Sequence, residues 1–263
     1  MGILRLLLAL SVLVAHSGPL FGFQAVGGEI AVQAFFMISG FYMALVLSGK
    51  YGPGTYGLFI SNRLLRLFPV YWVVLALTLG VSFTLLALGA LPPKLADWQA
   101  FGPALGWSGS LALVWANLFI LGQDVLLFLG LNPSTGRFFF TPDFLHTQPQ
   151  LWNLLFVHQA WSLSLEIMFY LLAPALMRCR TLPLAVLLLC SVGLRVALVQ
   201  QGFASDPWSY RFFPTEWRSF WPGPSPTEPT DGFHSSLCPS GCPFWPWPGW
   251  WASPWPTAGC RAG

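Results

Sequence analysis

Asn62-Arg63-Leu64-Leu65-Arg66-Leu67-Phe68-Pro69-Val70-Tyr71-Trp72-Val73-Val74-Leu75-Ala76-Leu77-Thr78-Leu79-Gly80-Val81 decides the fold class. Two arginines three apart share a helix face, and an apolar run over residues 67–91 follows them without a charge. About 20 mainly apolar residues suffice to cross a bilayer as a helix. Further runs of that kind cover 4–24, 28–48, 107–131, 153–177 and 182–200. None shows the alternation of a membrane barrel, and only helices or closed barrels satisfy backbone polar groups in lipid. The expected class is all-α, a polytopic transmembrane helix bundle of about five or six spans.

Composition agrees. The 263 residues are 55% hydrophobic and 8% charged, against roughly 25% charged in soluble domains. The net charge of +3 is scattered, so no basic stripe offers itself to nucleic acid. Five cysteines form no disulfide framework; Cys179 and Cys190 lie in or beside apolar runs, where a thiol acts as a small hydrophobe. Residues 3–15 also fit a signal-peptide core, but the positive region is thin and more runs follow, so an uncleaved first span fits better.

Lys50, Arg63 and Arg66 mark the 49–66 segment as cytoplasmic, which puts the N-terminus and Arg5 on the same side. Asn117, Gln123 and Asp124 make 107–131 the least lipid-like run. That run is expected to be buried or re-entrant, with 132–152 outside. Residues 1–213 read as the N-terminal part of a membrane domain. Residues 214–263 are dense in Trp, Pro and Gly, as in Pro243-Phe244-Trp245-Pro246-Trp247-Pro248-Gly249-Trp250-Trp251. This tail reads as disordered or out of frame, with an interfacial tail as the alternative.

Few ionisable groups accompany the apolar runs, and charge near lipid is costly enough to mark function. Arg5 and His16 are eleven residues apart, about three helical turns, so they share a face with a rise of about 16 Å. With Arg5 at the inner interface, His16 lies near mid-membrane, where a histidine can exchange a proton near neutral pH. The plainer reading of His16 is a histidine satisfied by a neighbouring helix. Arg63 and Arg66 suit phosphate groups, or simply topology and lipid headgroups. Ser162 and Glu166 are four apart and face one way; Glu166 could orient a histidine, accept from a sugar hydroxyl, or form a structural ion pair. Trp161 suits an interface anchor or a sugar-stacking platform, and His158 reads as outer surface. His234, Cys238 and Cys242 lack the spacing of a zinc site, so no metal is expected.

Arg5 with His16, Phe35-Phe36-Met37-Ile38-Ser39-Gly40-Phe41, Arg63-Leu64-Leu65-Arg66-Leu67-Phe68-Pro69 and Trp161-Ser162-Leu163-Ser164-Leu165-Glu166-Ile167-Met168-Phe169-Tyr170 follow in order. Together they resemble the integral-membrane acyltransferase family 3, the O-antigen acetylase-like proteins, over roughly residues 4–213. The resemblance implies transfer of an acyl group, commonly acetyl, from cytoplasmic acyl-CoA to a hydroxyl of an extracytoplasmic or lipid-linked glycan or small-molecule acceptor. Acyl-CoA is then a co-substrate, with no tightly bound cofactor. Carried over, Arg5, Arg63 and Arg66 sit near the CoA phosphates. His16 is the catalytic base or transient acyl carrier, and Glu166 positions acceptor or histidine. Gln33, Trp161 and Ser162 are read as acceptor contacts. The implied location is a bacterial plasma membrane, crossed several times.

Two departures stand out. Gln33 occupies a position where the family often has an acid, and family members usually carry about ten spans. An inactive truncated remnant and a small-molecule transporter are the alternatives; the transporter would favour paired internal repeats, which the sequence lacks.

Overall fold

The computed structural model describes residues 2–17, 26–51, 54–176 and 181–220. All lie in one compact unit, Met1–Ser225, and the second unit, Pro226–Gly263, lies outside the described residues. The readings of the Trp/Pro/Gly segment beyond residue 220, of His234, Cys238 and Cys242, and of Cys179 therefore fall outside the description.

The described chain is a helix bundle. Its helices are α1 (Gly2–Ser17), α2 (Gly28–Gly49), α3 (Tyr56–Ala87), α4 (Pro93–Phe101), α5 (Trp107–Phe119), α6 (Gln123–Leu126), α7 (Trp161–Leu176), α8 (Thr181–Gln200) and α9 (Phe213–Glu216). Among the described residues α2, α3 and α8 are long and apolar enough to cross a membrane, and α1 is a shorter apolar helix. Their large hydrophobic side chains point outward: Val70 is 66% exposed and Leu189 69%. On a water-soluble protein such faces would be a liability, whereas in a bilayer they meet lipid.

Three runs differ from their sequence reading. α3 begins at Tyr56, not 67, so Arg63 and Arg66 lie inside a 32-residue helix rather than in the loop before it. Pro69 sits within that helix, at the cost of one backbone hydrogen bond. The 107–131 run is not one helix. It stops at Phe119, turns at Ile120 with φ 66°, and ends in a hairpin of β1 (Leu129–Asn132) and β2 (Arg137–Phe140). The strands are antiparallel, with Leu129 opposite Phe140 and Asn132 opposite Arg137. Its polar residues explain the break. Asn117 donates to the carbonyls of Leu113 and Leu154 and accepts from the Phe156 N–H. Gln123 donates to Tyr71 and to the Ala116 carbonyl, and Asp124 accepts from Ser164 at 2.6 Å. Lipid offers none of these partners. The 153–177 run is helical only from Trp161; before it come 3-10 turns at Leu151–Leu154 and His158–Ala160.

α7 is the central helix. Trp161, Ser164, Leu165, Ile167, Phe169, Tyr170, Ala173 and Pro174 are all buried. Packed structure also continues past residue 213, where the sequence reading ends the membrane domain. Trp217 and Phe220 are 6% and 0% exposed, and Phe220 stacks on Phe36 at 4.5 Å and on Phe169 at 4.4 Å. Its backbone lies so close to α2 that a Cβ on Gly40 would come within 2.2 Å of the Phe220 carbonyl oxygen. Gly40 is thus a slot for a neighbouring backbone.

Candidate functional site

α1 and α2 pack closely together. The Arg5 guanidinium donates to Ser39 Oγ at 3.2 Å, while a Cβ on Gly28 would touch the Ala15 side chain at 3.4 Å. This antiparallel register delivers the two ends of α1 to two different places.

At the Arg5 end, the Ser39 hydroxyl donates to Glu166 Oε1 at 2.7 Å, and Tyr170 donates to the same oxygen. Tyr170 lies one turn beyond Glu166, so the pair is fixed by helical spacing. Tyr42 lies between two arginines: Arg5 is 5.7 Å and Arg63 5.6 Å from its ring centroid. Arg63 is buried, also faces Phe59 at 5.7 Å, and its Nε has no hydrogen-bond partner among the described residues. A guanidinium keeps its charge at any physiological pH, so this end of the bundle holds two fixed cations and a carboxylate linked through a serine. Arg66 is elsewhere. It is exposed and lines a groove of about 320 Å³ with Val70, Tyr71, Val74 and Leu163.

At the other end of α1, His16 lines a cavity of about 380 Å³. Trp161 and Ser162 from α7 line it, as do Glu29 from α2, His158 from the preceding turn, and Asp206 and Arg211 from the loop after α8. Glu166 is not among its lining residues. The structure therefore brings His16 together with Trp161 and Ser162, and Arg5 together with Arg63 and Glu166, but not the two sets with each other. Gln33 does not line the cavity; it donates to Glu216 Oε1 at 3.5 Å. Glu216 is fully buried, with Arg195 at 3.7 Å, Arg218 at 3.4 Å and the Ser219 hydroxyl at 2.9 Å.

Trp161 is a smaller platform than its sequence position implies. It is 7% exposed, with the Arg211 guanidinium 4.6 Å from its ring centroid and Tyr210 edge-on at 5.4 Å. Arg211 is itself pinned: Nε lies 2.8 Å from Asp206, and a terminal nitrogen donates to the Tyr210 hydroxyl at 2.8 Å. Burial raises the Asp206 carboxyl above its ordinary value against the pull of Arg211. Burial, and then the positive charges of Lys94 and Arg211, lower His158 to about 4.

Asp206, Tyr210, Arg211 and Glu29 were not singled out from sequence as site residues. One signal was available: Asp206-Pro207-Trp208-Ser209-Tyr210-Arg211 carries an acid and a base within six residues of a chain that is 8% charged.

Residues 1–253 match the family described as "Acyltransferase domain". The chain is also 35% identical over 91 residues to "Protein 2 in picA locus" of Rhizobium radiobacter, covering 34% of this chain and 47% of that protein. The chain thus spans about half the length of this curated relative. No solved structure matches.

Proposed function

The chain belongs to acyltransferase family 3, and from that premise we propose that it transfers an acyl group, most simply acetyl, from acyl-CoA to a hydroxyl of a glycan or similar acceptor held at the His16 cavity. The observation that carries this reading is the cavity itself, which gathers His16, Trp161 and Ser162 at one end of α1 while Arg5 and Arg63 gather at the other. Two fixed cations suit the phosphates of CoA. The rise of about 16 Å from Arg5 to His16 is of the order of an extended pantetheine arm, so phosphates at one end bring a thioester towards the other.

In the base mechanism, a bare imidazole nitrogen of His16 takes the proton of the acceptor hydroxyl as its oxygen attacks the thioester carbonyl. The new C–O bond forms, the C–S bond breaks, and the CoA thiolate leaves with the proton that His16 returns. In the carrier mechanism, the His16 nitrogen attacks the thioester carbonyl and expels the CoA thiolate. The acceptor hydroxyl then attacks the acyl-imidazole, the C–N bond breaks to free His16, and the hydroxyl proton passes to the thiolate. Glu166 belongs to the Arg5 end in either case, where it orders Ser39 and Arg5. The proposed setting is a bacterial plasma membrane, with donor inside and acceptor outside.

The test is His16→Ala in membranes supplied with labelled acetyl-CoA. Label entering envelope glycan should fall by at least about 100-fold, with the protein still in the membrane fraction. Acylation that survives the substitution rules the reading out.

A further inference from the structure

Two histidines line the cavity, His16 from α1 and His158 from the turn that leads into α7. The transfer just described uses the first and gives the second no task. His158 is held in place: its ring meets Trp152 edge to face, with centroids 4.8 Å apart at 78°. Its Nδ1 is buried and has no hydrogen-bond partner among the described residues. Buried polar atoms nearly always find partners, so an orphaned one calls for a reason.

The surroundings define what this ring can do. Lys94 lies 5.6 Å from the centroid of the Trp152 ring that His158 meets, and Arg211, Glu29, Asp206, Tyr210 and His16 are the charged and titratable residues that line the cavity with it. With its pKa lowered to about 4, chiefly by burial, His158 is uncharged at physiological pH. A neutral imidazole offers one N–H and one bare nitrogen. It can grip a hydroxyl from either side, yet it is too weak a base to take that hydroxyl's proton at neutral pH. The cavity, at about 380 Å³, is near the lower end of the roughly 300–1,000 Å³ of small-molecule sites, a size suited to a single sugar unit.

We propose that His158 is an acceptor-positioning residue, hydrogen-bonding a hydroxyl of a sugar acceptor in the cavity and presenting a neighbouring hydroxyl to His16. The inference rests on the acyl-transfer reading. It divides the two histidines by role: one moves a proton or an acyl group, the other holds the molecule that receives it.

The experiment uses the full chain in membranes, labelled acetyl-CoA, and the host's envelope glycan freed of its esters by mild alkali as the titrated acceptor. His158→Phe keeps the aromatic edge on Trp152 and removes both ring nitrogens. His158→Asn restores a donor and an acceptor. The expected result is a roughly tenfold rise in the glycan KM for His158→Phe, a KM for acetyl-CoA within about twofold of the parent value, and partial recovery in His158→Asn. An unchanged glycan KM, an equal rise in both constants, or an asparagine variant no better than phenylalanine overturns the proposal. A parent protein that labels no glycan overturns the acyl-transfer reading instead, and the positioning role with it.

Discussion

The two ends of α1 are built on different plans. At the Arg5 end every group comes from a long helix: Arg5 from α1, Ser39 and Tyr42 from α2, Arg63 from α3, Glu166 and Tyr170 from α7. At the His16 end helices supply only part of the wall, and the rest comes from the turn at His158 and the loop holding Asp206 and Arg211. Helices fix side-chain positions by their own hydrogen bonds, while loops rely on packing and side-chain anchors. The Arg5 end is thus held by helices, and the His16 end in part by packing and side-chain anchors.

The largest effect that would sharpen this contrast is at Glu166. Glu166→Ala removes the acceptor of both the Ser39 and the Tyr170 hydrogen bonds and leaves two buried donors to find water or each other. A stability loss of about 3 kcal/mol is expected, read as a lower unfolding temperature in detergent. An unshifted transition would break the contrast. A smaller effect is expected in the loop wall. Arg211→Lys keeps the charge but loses the planar face on Trp161 and the forked contact with Asp206 and Tyr210. About 1 kcal/mol is expected, with the glycan KM rising while the acetyl-CoA KM stays near its parent value.

A third test is a pH slope. His158 is lowered from 6.5 to about 4 by folding. Between those values the unfolded chain takes up a proton that the folded chain refuses, so stability falls as pH drops through that window. His158→Asn should flatten the fall in unfolding temperature between pH 6.5 and 4. A variant with the parent's slope would assign that dependence to other groups.

The bundle class was legible because few charges and long apolar runs leave little choice of environment. Arg5, Arg63 and Glu166 are conspicuous in so apolar a chain, but their grouping was not legible: the sequence puts Glu166 with His16, and Arg66 with Arg5 and Arg63. What could not be read was pairing across elements. Nothing in the spacing of Gln33 announces Glu216, 183 residues away. Trp161 reads as an interface anchor or sugar platform from its residue type and its place at the start of an apolar run, while the guanidinium that covers it arrives 50 positions later. The 107–131 run is set apart in the sequence by Asn117, Gln123 and Asp124, and these residues are buried in a bent segment whose backbone they help satisfy; the hairpin at its end was not legible.

The slot at Gly40 carries a consequence for how the protein is made. α2 leaves the ribosome early, while the Phe220 backbone that fills its slot follows about 180 residues later. At about 5–20 residues per second, that interval is on the order of ten to forty seconds. For that time the phenylalanine face of α2 lacks the Phe220 ring that stacks on Phe36, and lipid or an insertion factor must stand in. A side chain at position 40 would meet no backbone until then, so a substitution there is felt at the last step, when the Phe220 backbone docks on α2.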